Sequence, residues 1–377
     1  MKMKHIAGAS LMVCASTAWA QSNVTLYGLA DANIEYATNL PNAAVGGSSG
    51  RRVAMQSGGQ SGSRWGLRGV EDLGSGLSAL FVLESGFGVN DGKLQQGGRL
   101  FGRQAFVGLK ITDAGQFTFG RQYTTLFLLL ANFQPMSFAN QYEPVVVVGG
   151  LNFRSDNTAM YTGTFGPVTA QAHWTFGNGA ASVNPTGGGG GEVPGQFRRD
   201  SGYGAGAAYS AGPISATLAF DQYSPSVPLG GGEFDSGTVR KAVVAGSYAF
   251  GSAKLMAGYR WGNSKNVNGS VALRDDYYWV GANYQATNAL GVSLEYSYQK
   301  IKIINSAPST QSNPWQLAFV ADYVLSKRTD LYLTTAYARN AGLALDQAAV
   351  DLNATGYGLA AGKTNMFGAA IGIRHKF

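Results

Sequence analysis

From about residue 23 onward the chain repeats one pattern, short runs in which apolar and polar side chains alternate. Val168, Ala170, Ala172, Trp174 and Phe176 alternate with Thr169, Gln171, His173 and Thr175. Ile214, Ala216, Leu218 and Phe220 alternate with Ser215, Thr217, Ala219 and Asp221, and Leu290 to Gln299 repeats the scheme. Trp315, Leu317, Phe319, Ala321, Tyr323 and Leu325 form another apolar face. A period of two is the signature of a strand with one face in an apolar medium. Each run has roughly nine to eleven residues, the length a tilted strand needs to cross a bilayer. The apolar faces often end in Tyr, Trp or Phe, as an interfacial belt would.

The connections alternate between two kinds. Short ones include Gly166-Pro167, Ala211-Gly212-Pro213, Gly251-Ser252, Thr287-Asn288 and Ser326-Lys327-Arg328. Long ones cover 38–60, 88–98, 124–152, 178–199, 223–236, 263–273, 301–314 and 340–363, with tracts such as the five glycines at 187–191. Counting strands between them gives sixteen, from 23–37, 61–71, 77–87 and 99–110 through to 328–339 and 365–377. An even count with turns on one side and loops on the other predicts an all-β, sixteen-stranded antiparallel transmembrane β-barrel. A soluble sandwich or β-helix has no need of regular crossings with alternating loop lengths. Phe367, Ala369, Ile371, Ile373, His375 and Phe377 share one face, so the last strand can pair with the first and close the ring.

Composition adds the compartment. Lys2, Lys4 and His5, an apolar run over 6–16 and Ala18-Trp19-Ala20 read as a signal peptide over 1–20, leaving 21–377 as the barrel. The only cysteine, Cys14, lies in that leader, so stability must come from pairing and packing rather than disulfides. Without the leader, 26 basic residues face 21 acidic ones, a net charge of +5. That mild excess suits anions or lipopolysaccharide phosphates, and the absence of any Lys/Arg tract argues against nucleic acid. No Ser-His-Asp arrangement, metal spacing or cofactor motif emerges, so no catalytic residue is assigned. His173 falls on a lumenal face and His375 on an outward one.

Three segments, NVTLYGLADANIEY, SRWGLRGVEDLGSGLSALFVLESGF and GRLFGRQAFVGLKITDAGQFTFGRQY, resemble the general trimeric porins of Gram-negative bacteria, most of all the beta-proteobacterial branch. The closing AIGIRHKF fits the same family. The resemblance implies a homotrimer in the outer membrane, in contact with its lipid and lipopolysaccharide. It also implies passive diffusion of small hydrophilic solutes and ions, and a third long loop, 124–152, folded inward as the constriction. In the family, basic residues on the wall face acids on that loop. SRWGLRG then supplies Arg64, GRQAFVGL supplies Arg103 and FRSDN supplies Arg154, with Glu84 on the adjacent wall.

Alternation tests these positions. Arg64 shares a face with Gly66 and Arg68, opposite Trp65 and Leu67, so both arginines point inward. Arg154 shares a face with Asp156 and Thr158, opposite Phe153 and Tyr161, and is read as inward. For Arg103 both faces are mixed, and only the resemblance decides. Asp31 and Glu35 lie on the inner face of the first strand as ordinary lumen residues. Arg121 shares a face with Phe117 and Phe119 and is read as lying outside the pore, against a neighbouring subunit or above the membrane. Glu143 is the only acid between Asp113 and Asp156, the single acidic candidate on the loop. Leu126–Ala131 and Val145–Val148 read as a short helix and a strand packed on the inner wall, while Met136, Phe138 and Tyr142 are candidates for the border of the opening. Several arginines against one carboxylate predict a net-positive narrow point with moderate anion preference. A channel preferring organic acids or another nutrient class, and a plugged structural or adhesive barrel, are the competing readings.

Overall fold

A computed structural model describes residues 23–42, 48–178, 192–230, 233–346 and 356–377. The leader over 1–20 and the glycine tract at 187–191 lie outside the described residues. Sixteen strands form the wall. They are β1 (Asn23–Asn42), β2 (Arg64–Gly74), β3 (Leu77–Gly86), β4 (Gln104–Ile111), β5 (Gly115–Tyr123), β6 (Arg154–Phe165), β7 (Val168–Thr175) and β8 (Gly202–Ala211), followed by β9 (Ile214–Tyr223), β10 (Thr238–Phe250), β11 (Ala253–Lys265), β12 (Val271–Gln285), β13 (Leu290–Ile304), β14 (Trp315–Val324), β15 (Thr329–Arg339) and β16 (Asn365–Lys376). Each pairs antiparallel with its chain neighbours, and β16 returns to β1 from Leu29↔Lys376 to Ala37↔Gly368. Phe377 finishes the seam: Gly28 N–H donates to its carbonyl and its own N–H donates to the Gly28 carbonyl, both at 3.0 Å. Among the described residues no helix is long and apolar enough to cross a membrane. The strands cross instead, and closure leaves no sheet edge unpaired in hydrocarbon.

The wall is apolar outside and polar inside. Leu218 is 63% exposed on the outer face, while its neighbours Thr217 and Ala219 are buried against the lumen filling. The same alternation places Leu294 and Tyr296 outward and Glu295, Ser297 and Gln299 inward. Tyr209, Tyr248, Phe250, Tyr284 and Tyr323 are exposed near the short turns, where aromatic rings suit the membrane interface.

Two expected boundaries change. The connection over 38–60 is largely strand: β1 runs on to Asn42, and a further strand, Ser48–Ser57, pairs with its upper half from Ala32↔Ser57 to Asn42↔Ser48. Its outward Val53 and Met55 stand among Arg, Ser and Gln, so the local sequence reads as polar loop. Strand β4 starts at Gln104 rather than near 99, which leaves Arg103 just before the regular ladder.

Loop 124–152 lies inside the barrel. Thr124 caps helix α1 (Thr125–Leu130), its hydroxyl accepting from the Phe127 N–H. A 3-10 turn follows at Ala131–Phe133. The valine run forms a second short helix, α2 (Val145–Gly149), rather than the expected strand. Leu126, Leu129, Leu130 and Phe133 pack on the inward faces of Ala219, Val243, Ala245, Tyr277 and Trp279. Each leucine buried this fully is worth about 1.5–3 kcal/mol. The wall also holds the loop backbone: Trp279 Nε1 donates to the Phe133 carbonyl at 2.8 Å and Asn283 Nδ2 to the Pro135 carbonyl at 2.6 Å. A Cβ on Gly206 would fall 2.7 Å from Leu129 Cδ1, so a bare backbone on the wall makes room for the helix.

Leu218 sits mid-strand on the outer face, opposite Val244. Leu218→Arg is therefore expected to lower stability in lipid by roughly 2–4 kcal/mol, against under about 1 kcal/mol for Leu218→Ile. Denaturant unfolding of the folded barrel in liposomes measures both.

Candidate functional site

Three arginines from separate parts of the wall converge on one phenol. Arg103 Nη2 donates to Tyr123 Oη at 3.0 Å and Arg154 Nη2 donates to the same oxygen at 3.1 Å. The Arg154 guanidinium also lies over the Tyr123 ring, 4.8 Å from its centroid, and over Phe153 at 4.6 Å. Arg64 stands beside them, its Nε donating to the Gly62 carbonyl at 2.9 Å. Tyr123 is fixed in turn by stacking on Phe127 at 4.5 Å, and Phe127 stacks on Phe138 at 4.3 Å. This aromatic file links the loop to the arginine wall. Arg64, Arg103 and Arg154 line a cavity of about 460 Å³ that Phe138, Asn140 and Gln141 of the loop border from the other side.

The charges there are unevenly paired. Glu84 Oε1 accepts from Arg103 Nε at 2.7 Å, and its Oε2 accepts from Tyr27 at 3.1 Å. Among the described residues neither Arg64 nor Arg154 has a carboxylate within ion-pair distance. Arg68 points along the same wall but stacks on Tyr27 at 5.4 Å, away from the cavity lining.

Three acids are placed differently from expectation. Glu143 borders the same cavity as the arginines but forms no ion pair with them: its residue is 1% exposed, its Oε1 accepts from the Met136 N–H at 3.2 Å, and its carboxyl lies beside Glu295 of β13. Two carboxyls in contact cannot both ionise cheaply. Burial and Glu295 hold Glu143 well above its ordinary value of 4.5. Asp31 is fully buried rather than open to the lumen. Its carboxylate accepts from the N–H groups of Gly59, Gln60 and Ser61 at 2.8–3.1 Å and from Tyr332 at 2.6 Å. It thus anchors an inward turn between Ser57 and Arg64. Asp156 turns away from Arg154: the Asn157 that follows it has φ 47° and breaks the alternation between Asp156 and Thr158. Its carboxylate pairs with Arg99 at 2.8 Å and Arg121 at 2.5 Å. Arg121 does not line the cavity; it also donates to the Gly102 carbonyl at 2.7 Å.

One inward residue has a larger part than the alternation suggested. Glu35 Oε1 accepts from Gln141 Nε2 at 3.0 Å and Tyr142 Oη at 2.9 Å, both on the loop, and from Tyr357 Oη of the last long connection. Its Oε2 pairs with Arg52 at 2.9 Å. Burial and the Glu35 charge push both phenols far above their ordinary range, so they remain donors at any working pH. Only the inward parity of Glu35 was visible locally, because its partners are 17 to 322 residues away. Among the described residues no group of three or more His, Cys, Asp or Glu could hold a metal ion.

A closed barrel with an apolar outer belt and a loop folded into a polar lumen is a membrane channel of the outer-membrane type. A family model described as Gram-negative porin matches residues 7–343, and the chain belongs to that family. It is 31% identical over 410 residues to an outer membrane porin protein of Bordetella pertussis, with the whole of both chains covered. The anion-selective porin from Comamonas acidovorans superposes with a TM-score of 0.74 at 28% identity, over 95% of this chain and 100% of that one. The trimer form of OmpT from Vibrio cholerae shares the fold, with a TM-score of 0.67 at 15% identity over 94% of this chain and 99% of that one. The protein is an outer-membrane porin, a passive channel.

Two outcomes follow. Glu35→Ala leaves Gln141, Tyr142 and Tyr357 without their acceptor, and is expected to cost roughly 1–3 kcal/mol in urea unfolding and to raise open-channel current noise. For Glu143 the folded pKa lies above the unfolded one, so docking of the loop is strongest below about pH 4.5 and weakens as pH rises toward the folded value. Current noise is expected to grow as pH rises above the ordinary carboxyl value in the parent protein and to stay level in Glu143→Gln, whose amide can donate to Glu295.

Proposed function

We propose that the porin is a water-filled diffusion channel with a moderate preference for anions, set by Arg64, Arg103 and Arg154 acting as the positive wall of its constriction. The observation that carries this reading is the uneven pairing: Arg103 and Arg154 both donate to Tyr123 with Arg64 beside them, and among the described residues only Arg103 forms an ion pair, with Glu84. Glu143 borders the cavity, but burial and Glu295 favour its neutral form and it pairs with none of the three arginines. Two unit charges 4 Å apart interact by about 1 kcal/mol in water and about 4 kcal/mol at an effective dielectric near 20. A narrow lumen lies between, so two uncompensated charges shift the anion barrier by a few RT, a bias rather than strict selection. The anion selectivity stated for the Comamonas acidovorans porin supports the same reading. We read the chain as a channel and not an enzyme. The trimeric relative supports assembly as a homotrimer in lipid and lipopolysaccharide.

Planar-bilayer recording under a salt gradient tests this. The expected result is conductance steps in groups of three and a reversal potential on the anion side. Changing Arg64, Arg103 and Arg154 together to Gln is expected to move that potential most of the way to zero, whereas Arg121→Gln leaves it within about 20% of the parent. A larger effect from Arg121→Gln, or a cation-side potential in the parent protein, sinks the assignment.

A further inference from the structure

The loop divides the lumen, and the second space it leaves is chemically unlike the first. On the far side of α2 from the arginines lies a cavity of about 600 Å³. Val146 borders both spaces. Val147 and Leu151 of the loop and Val239, Leu273 and Ile304 of β10, β12 and β13 give this cavity apolar sides. Lys265, Asn266 and Asn305 also border it, so it lies toward the end of the barrel that carries the long connections.

One buried cation opens into it without an ion pair among the described residues. Lys241 of β10 is only 9% exposed, yet among the described residues it forms no ion pair and no hydrogen bond through its ammonium group. Among the described residues the acids near it stay beyond ion-pair distance of its ammonium. Asp221, its cross-strand neighbour, accepts from Asn152 Nδ2 at 3.0 Å and faces His173 Nε2 at 3.5 Å. Asp275 is gripped by both terminal nitrogens of Arg260, at 2.6 and 2.7 Å, and by Gln299. The loop leaves room for the ammonium, because Gly150 adopts φ 88° and a Cβ there would collide with Lys241 Nζ. A buried ammonium with no acceptor costs several kcal/mol, so such a group is retained where an anion or water completes it.

We propose that this cavity binds an organic monocarboxylate with an apolar body, its carboxylate on Lys241 Nζ and its body against Val146, Val147, Leu151 and Leu273. Among the described residues Lys241 is the one buried cation of the lining outside an ion pair, while Arg240 and Lys265 are exposed to solvent, so a single desolvated charge is left to match one negative charge. Apolar sides add nothing to the binding of chloride or phosphate but remove a ring or a branched chain from water. The site is independent of the arginine wall, and the two readings fail separately.

Benzoate is the probe, added on the long-connection side of the reconstituted full-length protein. The expected result is saturable interruption of single-channel current, with benzamide, the neutral shape mimic, and acetate, which lacks the body, at least about tenfold weaker. Lys241→Met is expected to raise the half-saturating benzoate concentration about tenfold, the loss of one charge-assisted hydrogen bond. Val147→Asp, on the loop rather than the wall, is expected to do at least as much without touching the strand that carries Lys241. The triple Gln variant at Arg64, Arg103 and Arg154 is expected to change the reversal potential while leaving benzoate half-saturation within about twofold. Equal benzoate response in the parent protein and in Lys241→Met or Val147→Asp overturns the proposal. So does acetate or benzamide matching benzoate, or loss of the benzoate effect in the triple Gln variant alone.

Discussion

Hydrocarbon offers no hydrogen-bond partner, so every N–H and C=O in the wall must be satisfied by another strand. That constraint organises the molecule. It demands a closed ring, and the ring closes only because β16 reaches β1 and Phe377 exchanges two hydrogen bonds with Gly28. It sends apolar side chains outward, where a soluble protein would carry polar ones. The lumen is then left with the polar half of every strand, too wide to be filled by wall side chains alone. Loop 124–152 is the consequence: it brings its own apolar residues to cover Tyr277, Trp279, Val243 and Ala245 and leaves defined passages beside it.

The loop also lets like charges stand close together. Three guanidiniums around one phenol repel one another, and they hold their places through groups that are not acids. Tyr123 supplies an oxygen to two of them and a ring face to one, and Phe127 and Phe138 brace it from the loop. The acids of the lumen do other work. Glu35 ties Arg52, the loop and Tyr357 together, and Asp31 holds the turn at Gly59–Ser61. Carboxylates therefore shape the passage, and Arg103 and Arg154 beside it are both held by the aromatic Tyr123.

Legibility followed from how far each feature depends on its neighbours in the chain. Leu218 against Thr217, or Tyr296 against Glu295, shows its face to anyone counting by two, because adjacent strand residues point to opposite sides. Arg64 follows the same rule. Arg103 does not, since it precedes the first ladder residue Gln104 and its direction is set by Glu84 and Tyr123. Asp156 misled for a related reason: the left-handed Asn157 resets the count between it and Thr158. The strand at Ser48–Ser57 was hidden because both its partner and its exposed valine and methionine sit above a polar-looking run.

By itself the sequence determined what period-two alternation encodes: an all-β barrel of sixteen strands, its inside and outside, its turn and loop ends, and a family whose loop turns inward. These are properties of adjacent residues and of chain order. Which acid meets which base was decided only by the tertiary structure. Glu143 found Glu295, Glu35 found Tyr357, and Lys241 was left facing a cavity walled by valines and leucines. Those pairings join residues far apart in the chain, at positions fixed by ring closure and the path of the loop, and no local pattern carries that distance.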